Sequence, residues 1–184
     1  GINLGLPEIN IEFTSLAVTA IERSERGIVA LILKDDTDTF DTKEYRNIAE
    51  ADDDSDKWTS ENLDFIKMAL RGLPNKVIVE RLDTTAENYS AAFSRLEKKR
   101  WNYLAIPGIE AGDTSDVATQ VKSWWDNEDK TYKAVLPDEA ADHESIINFT
   151  TEDIVVDGTT LTTAAFTARL AGVLAGLPLT RSAT

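Results

Sequence analysis

The sequence has 184 residues and a mass of 20.3 kDa, room for one domain and at most a small part of another. Hydrophobic residues make up 42%, enough for a core, while 33 acidic against 19 basic residues give a formal net charge of −14. That balance argues against a general nucleic-acid binder and against docking on an anionic membrane, since both need a basic surface. Cysteine is absent, which removes disulfides, thiolate nucleophiles and Cys-based metal centres. The single histidine, His143, removes His-pair metal sites. No apolar run reaches the length of a membrane span, and the opening residues do not read as a signal peptide.

Ile9 to Phe13 (INIEF) alternates apolar and polar residues and predicts a strand, and Val18 to Ile21 reads similarly. Ile28 to Leu33 (IVALIL) is a continuous, β-branched-rich run, the pattern of a strand covered on both faces. Asp35 to Asp56 is acidic and weakly patterned, and reads as a loop or an irregular strand pair. Thr59 or Ser60 caps a helix to about Arg71, ended by Gly72 and Pro74. Lys76 to Leu82 (KVIVERL) predicts a strand, and Thr84 or Thr85 caps a helix to about Arg100. Tyr103 to Ile106 predicts a strand stopped by Pro107-Gly108, Asp113 or Thr114 caps a further helix, and Tyr132 to Leu136 predicts the next strand. Ile146 to Phe149 is a short apolar run. Asp157-Gly158 sits between two short strands as a hairpin turn, and Thr162 or Thr163 caps a small-residue helix to Leu177. The alternation predicts an α/β domain with a largely parallel sheet, helices on both faces, N-terminal strands, and a C-terminal hairpin and helix.

The motifs in this frame have modest chemical content. Asp52, Asp54 and Asp56 alternate as in a calcium loop, but Lys57 and Leu63 stand where Gly and Glu are needed, so a solvated acidic loop is the reading. Gly108 and Gly112 lie between strand and helix without a phosphate-binding fingerprint. His143 lies in DEAADHES with no nucleophile elbow nearby, which favours a surface or loop-anchoring histidine over a catalytic one. Of Trp124 and Trp125, one is expected in the core and the other over a helix edge or at an interface. Gly172 and Gly176 point to close packing of the last helix on the sheet. The sequons at Asn88 and Asn148 carry no weight without a secretory signal. An unrecognised ligand or enzymatic site would fall near strand C-terminal ends, at Asp83, Glu110 or Asp138.

Three stretches have a wider likeness. GLPEINIEFTSLAVTAIERSERGIVALILKDDT, ESIINFTTEDIVVDG and FTARLAGVLAGLPLTRSAT resemble contractile phage tail sheath proteins, most closely those of Gram-positive phages, prophages and phage-tail-like bacteriocins. NYLAIPG and YKAVLP fall where that family has sheet strands. The resemblance implies a structural subunit rather than an enzyme. Its core has subtilisin-like topology without a catalytic triad and takes no cofactor or metal. Subunits of this kind stack helically around a tail tube above a baseplate and contract. It further implies assembly in the bacterial cytoplasm into a virion tail or tail-like particle. Nucleic-acid and membrane partners are not expected. One sheath-core domain over 1–184 is expected, with residues 1–13 either a flexible inter-subunit arm anchored by Ile9, Ile11 and Phe13 or an ordinary edge strand of the domain. A further C-terminal domain would follow Thr184, and the piece alone would be monomeric. Basic Lys98, Lys99 and Arg100 could meet a neighbour's Asp52 to Asp56 loop, with two solvated faces as the plainer reading.

Overall fold

A computed structural model describes residues 20–178. The INIEF strand and its Ile9, Ile11 and Phe13 lie outside the described residues. Ala20–Ser24 is a short helix, α1, so the strand expected over Val18 to Ile21 is helical where it is described. Next come β1 (Ile28–Lys34), β2 (Thr42–Tyr45), α2 (Ile48–Asp53), α3 (Ser60–Leu70), β3 (Lys76–Leu82) and α4 (Ser90–Leu96). They are followed by β4 (Tyr103–Ala105), α5 (Thr114–Glu128), β5 (Lys133–Pro137), β6 (Ile146–Phe149), β7 (Ile154–Val156), β8 (Thr159–Leu161) and α6 (Thr163–Ala175).

The main sheet has the order β2-β3-β1-β4-β5-β6. Only β2 is antiparallel; β3, β1, β4, β5 and β6 run parallel. Counted among parallel strands alone the order is 2-1-3-4-5, a doubly wound arrangement. Because Cβ atoms alternate along a strand, β1 feeds two cores. Ile28, Ala30 and Ile32 join the α4 and α5 side around Trp101, Trp124 and Leu104. Val29, Leu31 and Leu33 join the α3 and α6 side around Ile66, Ala69 and Ala171. Burial on both faces is why IVALIL shows no alternation.

Three further elements depart from expectation. First, Asp35 to Asp56 holds a real strand and helix, β2 and α2. The Asn47 side chain caps α2 by accepting from the Glu50 amide (2.9 Å), and of the helix residues Ala51 is the buried one, too little to show as periodicity. Second, α4 is much shorter than the predicted Thr84-to-Arg100 helix. Thr84 instead donates its amide to Asp36 Oδ1 (2.9 Å) and its hydroxyl to Asp36 Oδ2, while Trp101 Nε1 donates to the Leu96 carbonyl (2.9 Å) at the far end. Third, α5 begins from a 3-10 turn at Ala111–Asp113 with no side-chain cap from Asp113. By contrast, Thr59 and Thr162 cap α3 and α6 as expected, accepting from the amides of Asn62 and Ala165.

Candidate functional site

In a doubly wound sheet, ligand crevices form beyond the strand C-terminal ends, where successive crossovers leave in opposite directions. Here that place is the C-terminal end of β1, since the chain goes from β1 out to β3 and then back across to β4. A cavity of about 540 Å³ opens there, lined on one side by Thr59, Asn62 and Phe65 and on the other by Tyr89, Ile106 and Gly108.

Its centre is Asp35, a fully buried carboxylate. Oδ1 accepts from the Thr37 amide (2.8 Å); Oδ2 accepts from the Thr59 amide (2.8 Å) and from Asn62 Nδ2 (2.8 Å). Burial pushes this carboxyl up, but the hydrogen bonds from Asn62, Thr59 and Thr37 outweigh it and hold the group below the usual aspartate value. Its own carbonyl accepts from Arg81 Nη1 (2.6 Å). Asp36 is likewise lowered, by its hydrogen bonds from Thr84. Tyr89 is pushed up to about 12 by burial, with the charges of Asp113 and Glu110 adding to it. Asp35 thus ties the end of β1 to the start of α3, and Asp36 ties it to the loop after β3.

A second polar cluster lies inside the sheet layer. Glu80, fully buried on β3, accepts from Thr42 Oγ1 (2.8 Å) and Arg95 Nε through Oε1, and from Lys99 Nζ (2.9 Å) through Oε2. Arg95 Nη2 also donates to the Arg81 carbonyl (3.0 Å). No sequence motif marks Glu80 or Arg95. The signal available was a charged pair, Glu80-Arg81, inside the apolar strand KVIVERL.

The expected candidates are scattered. Asp52 pairs with Lys67 (2.9 Å), Asp54 Oδ2 accepts from the Tyr45 hydroxyl (2.6 Å), and Asp56 is exposed, so the three do not converge. Gly108 lines the β1 cavity, whereas Asp83, Glu110 and Asp138 follow three different strands and do not line it. Asp83 accepts from Arg81 Nη1 (2.9 Å). The Asn88 side chain makes a local turn with Ser90, and Asn148 lies exposed on β6. Lys99 turns inward to Glu80, which splits the basic triplet and leaves Lys98 and Arg100 exposed.

His143 anchors a loop. Parallel neighbours usually need a crossover of a dozen residues or more, often helical. Here residues 138–145 join β5 to β6 without a helix, with positive φ at Asp138 (51°) and Asp142 (47°). The Ser145 amide donates to His143 Nδ1 (3.0 Å), which assigns the proton to Nε2, 3.0 Å from Asp126 Oδ1 on α5. The Ser145 hydroxyl also lies 2.8 Å from Nδ1, but Ser145 is fully buried, so this Ser–His–Asp set holds chain rather than meeting a substrate. Trp125 stands edge-on to the imidazole at 6.2 Å, covering the loop, while Trp124 is wholly buried among Phe93, Trp101 and Tyr132.

Gly172 and Gly176 face α3 rather than the strands. A Cβ on Gly176 would lie 1.8 Å from the Gly72 carbonyl oxygen, and one on Gly72 would lie 2.0 Å from the Gly172 carbonyl carbon. Gly72 therefore serves close approach, and the left-handed turn after α3 falls instead on Leu73 (φ 62°).

The polar clusters of this doubly wound α/β domain bind its own loops together, and comparison with known proteins gives its kind. Residues 83–184 match the family described as phage tail sheath protein central domain. The tail sheath protein of Clostridium phage phiCD119 is 37% identical, with 98% of this chain and 51% of that protein covered. The chain belongs to the phage tail sheath protein family. It spans about half the length of this curated relative. The fold is shared with two solved sheath tail proteins. That of Listeria innocua has a TM-score of 0.69 at 17% identity, over 87% of this chain and 59% of its own. That of Desulfitobacterium hafniense has a TM-score of 0.63 at 18% identity, over 82% and 59%.

Proposed function

We propose that this chain is the core of a contractile sheath subunit, which polymerises helically around a tail tube and shortens to drive the tube through a cell envelope. The observation that carries this reading is the 37% identity to a tail sheath protein over nearly the whole chain. The partners in this reading are other copies of the chain, the tube protein and a baseplate, with assembly in the bacterial cytoplasm and residence in a tail. The rigid α/β domain moves as a body, and contraction repacks such bodies between two arrangements. Residues 1–13 act as the arm that joins neighbours, with Ile9, Ile11 and Phe13 seated on one face of an added strand. The alternation of INIEF supports this.

The test is negative-stain electron microscopy of the complete gene product, alone and co-expressed with its tube protein. Hollow tubes, or sheathed tubes that shorten under mild denaturant, are expected. Monodisperse particles under both conditions would overturn the reading. Removing residues 1–13 should abolish assembly and leave the domain folded by circular dichroism.

A further inference from the structure

The charge of the domain is segregated along the strand direction. The loops leaving the C-terminal ends of β1, β3, β4, β5 and β6 read DDTDTFD, DTTAENY, IPGIEAGD, DEAA and TTED, with acids in every one and no lysine or arginine, although Lys34 and Arg81 lie at this end in the strands themselves, Arg81 paired with Asp83. The loops entering β1, β3, β4 and β5 read ERG, RGLPN, EKKRWN and DKTY, where cations match or outnumber acids, and Lys76 and Lys133 open the strands that follow. Two described segments are acidic at that end, DHES entering β6 and the β2–α2 segment, which leaves β2 beside Val77 and carries Glu50, Asp52 and Asp53, so the basic surface is centred on β1 and β4. Arg71, Lys98 and Arg100 are exposed there.

Helix dipoles explain part of this pattern, because α3, α5 and α6 start at the acidic end and favour acids in their first turns. They account for Asp35, which accepts from the Thr59 amide at the start of α3, but not for Asp38 and Asp41 further along the loop into β2, or for DEAA, which leads to β6 with no helix between. The 7 residues of β1 at about 3.3 Å each separate the two ends by roughly 23 Å, well over two Debye lengths at physiological salt. The two ends therefore do not neutralise each other within one molecule, and each presents its own field to solvent.

We propose that copies of this domain meet end to end along the strand axis, the acidic C-terminal edge of one sheet against the basic N-terminal edge of the next copy. This rests on the sheath reading above and gives it an interface. The contact is heterologous: each copy offers both halves, so it propagates into an open assembly rather than closing as a dimer. It also reconciles a net charge of −14 with self-association, since exposed cations such as Lys98 and Arg100 stand where the next copy's acids arrive.

Charge reversal in the complete gene product tests this. Glu87 and Glu110 are exposed at the acidic edge; Lys98 and Arg100 are exposed at the basic edge. The acidic-edge variant Glu87→Lys/Glu110→Lys and the basic-edge variant Lys98→Glu/Arg100→Glu are each expected to lose sedimentable tubes at least tenfold at about 0.15 M salt. An equimolar mixture of the two, or one chain carrying all four changes, is expected to regain them, because opposite charges face each other again. Parent-like tubes from either single-edge variant would overturn the inference and leave the sheath reading standing. Variants that remain inert both as a mixture and as the combined chain would overturn it too. A parent that forms no tubes, alone or with its tube protein, would overturn the sheath reading and this interface together.

Discussion

Gly172 and Ala69 touch backbone to backbone: a Cβ on Gly172 would lie 2.1 Å from the Ala69 carbonyl oxygen and 2.9 Å from its Cα. No rotamer change relieves such a clash, because a Cβ is fixed by its own backbone and the atoms it meets are main chain. We expect Gly172→Ala to push α6 away from α3 and destabilise the domain by about 1–3 kcal/mol, and Gly172→Val by more. Denaturant unfolding measures this. An unchanged midpoint for Gly172→Ala would show that the helices can part without cost.

Asp35 links stability to acid. Its folded carboxyl titrates below the unfolded one, so its contribution is complete above the unfolded value and is lost as pH falls through the folded value. We expect Asp35→Asn to cost about 1–3 kcal/mol near neutral pH, because an amide nitrogen then meets donors that need acceptors. The difference between wild type and variant should shrink as pH drops below about 4. A difference that stays constant down to about pH 2 would contradict this account.

The pair of Glu80 and Arg95 should behave asymmetrically. Arg95→Met leaves a fully buried carboxylate with one cation fewer, which we expect to cost about 3–5 kcal/mol. Adding Glu80→Leu should return much of that, since the uncompensated buried charge is gone. A double-mutant cycle by chemical denaturation decides it. Additive losses would mean that the two side chains act independently.

How far the sequence discloses the fold depends on how much each element buries. IVALIL, KVIVERL and YKAVLP run through the middle of the sheet, and their apolar character alone places them. The residues of α2 gave no such signal, because a helix that buries Ala51 has no stripe to read. The extent of α4 depended on a long-range bond between Thr84 and Asp36, which no local pattern contains. The Gly172 and Gly176 spacing showed close approach but not its partner, since spacing gives a helix face and not what lies opposite. The Glu80 cluster was hidden for the same reason: Thr42 comes from the neighbouring strand and Arg95 and Lys99 from the crossover after β3, and no local pattern shows that their side chains converge on Glu80. The family likeness was carried by long matching stretches at both ends, not by any cluster of side chains.

His143 offers a local readout. His143→Ala removes the acceptor of the Ser145 amide and the tie to Asp126. We expect a modest global loss of about 1 kcal/mol, together with faster hydrogen exchange at Ser145 and its neighbours in the loop. Exchange that is unchanged at Ser145 would show that the loop holds itself.

The position of β1 has a consequence during synthesis. Its two neighbours are β3 and β4, so neither edge of IVALIL can be satisfied by what precedes it, and the second edge waits until Ala105 has been made. At about 5–20 residues per second, the ribosome leaves an apolar, strand-forming run with an open side for several seconds. Such a run is a hazard for pairing with the same segment of another nascent chain. The chain therefore meets its greatest risk of mispairing before β4 is made, and a chaperone that shelters IVALIL would guard the yield of folded protein. Crosslinking of ribosome-stalled chains ending before and after Ala105 would register that shelter as a chaperone adduct on the shorter chains that disappears once β4 has emerged.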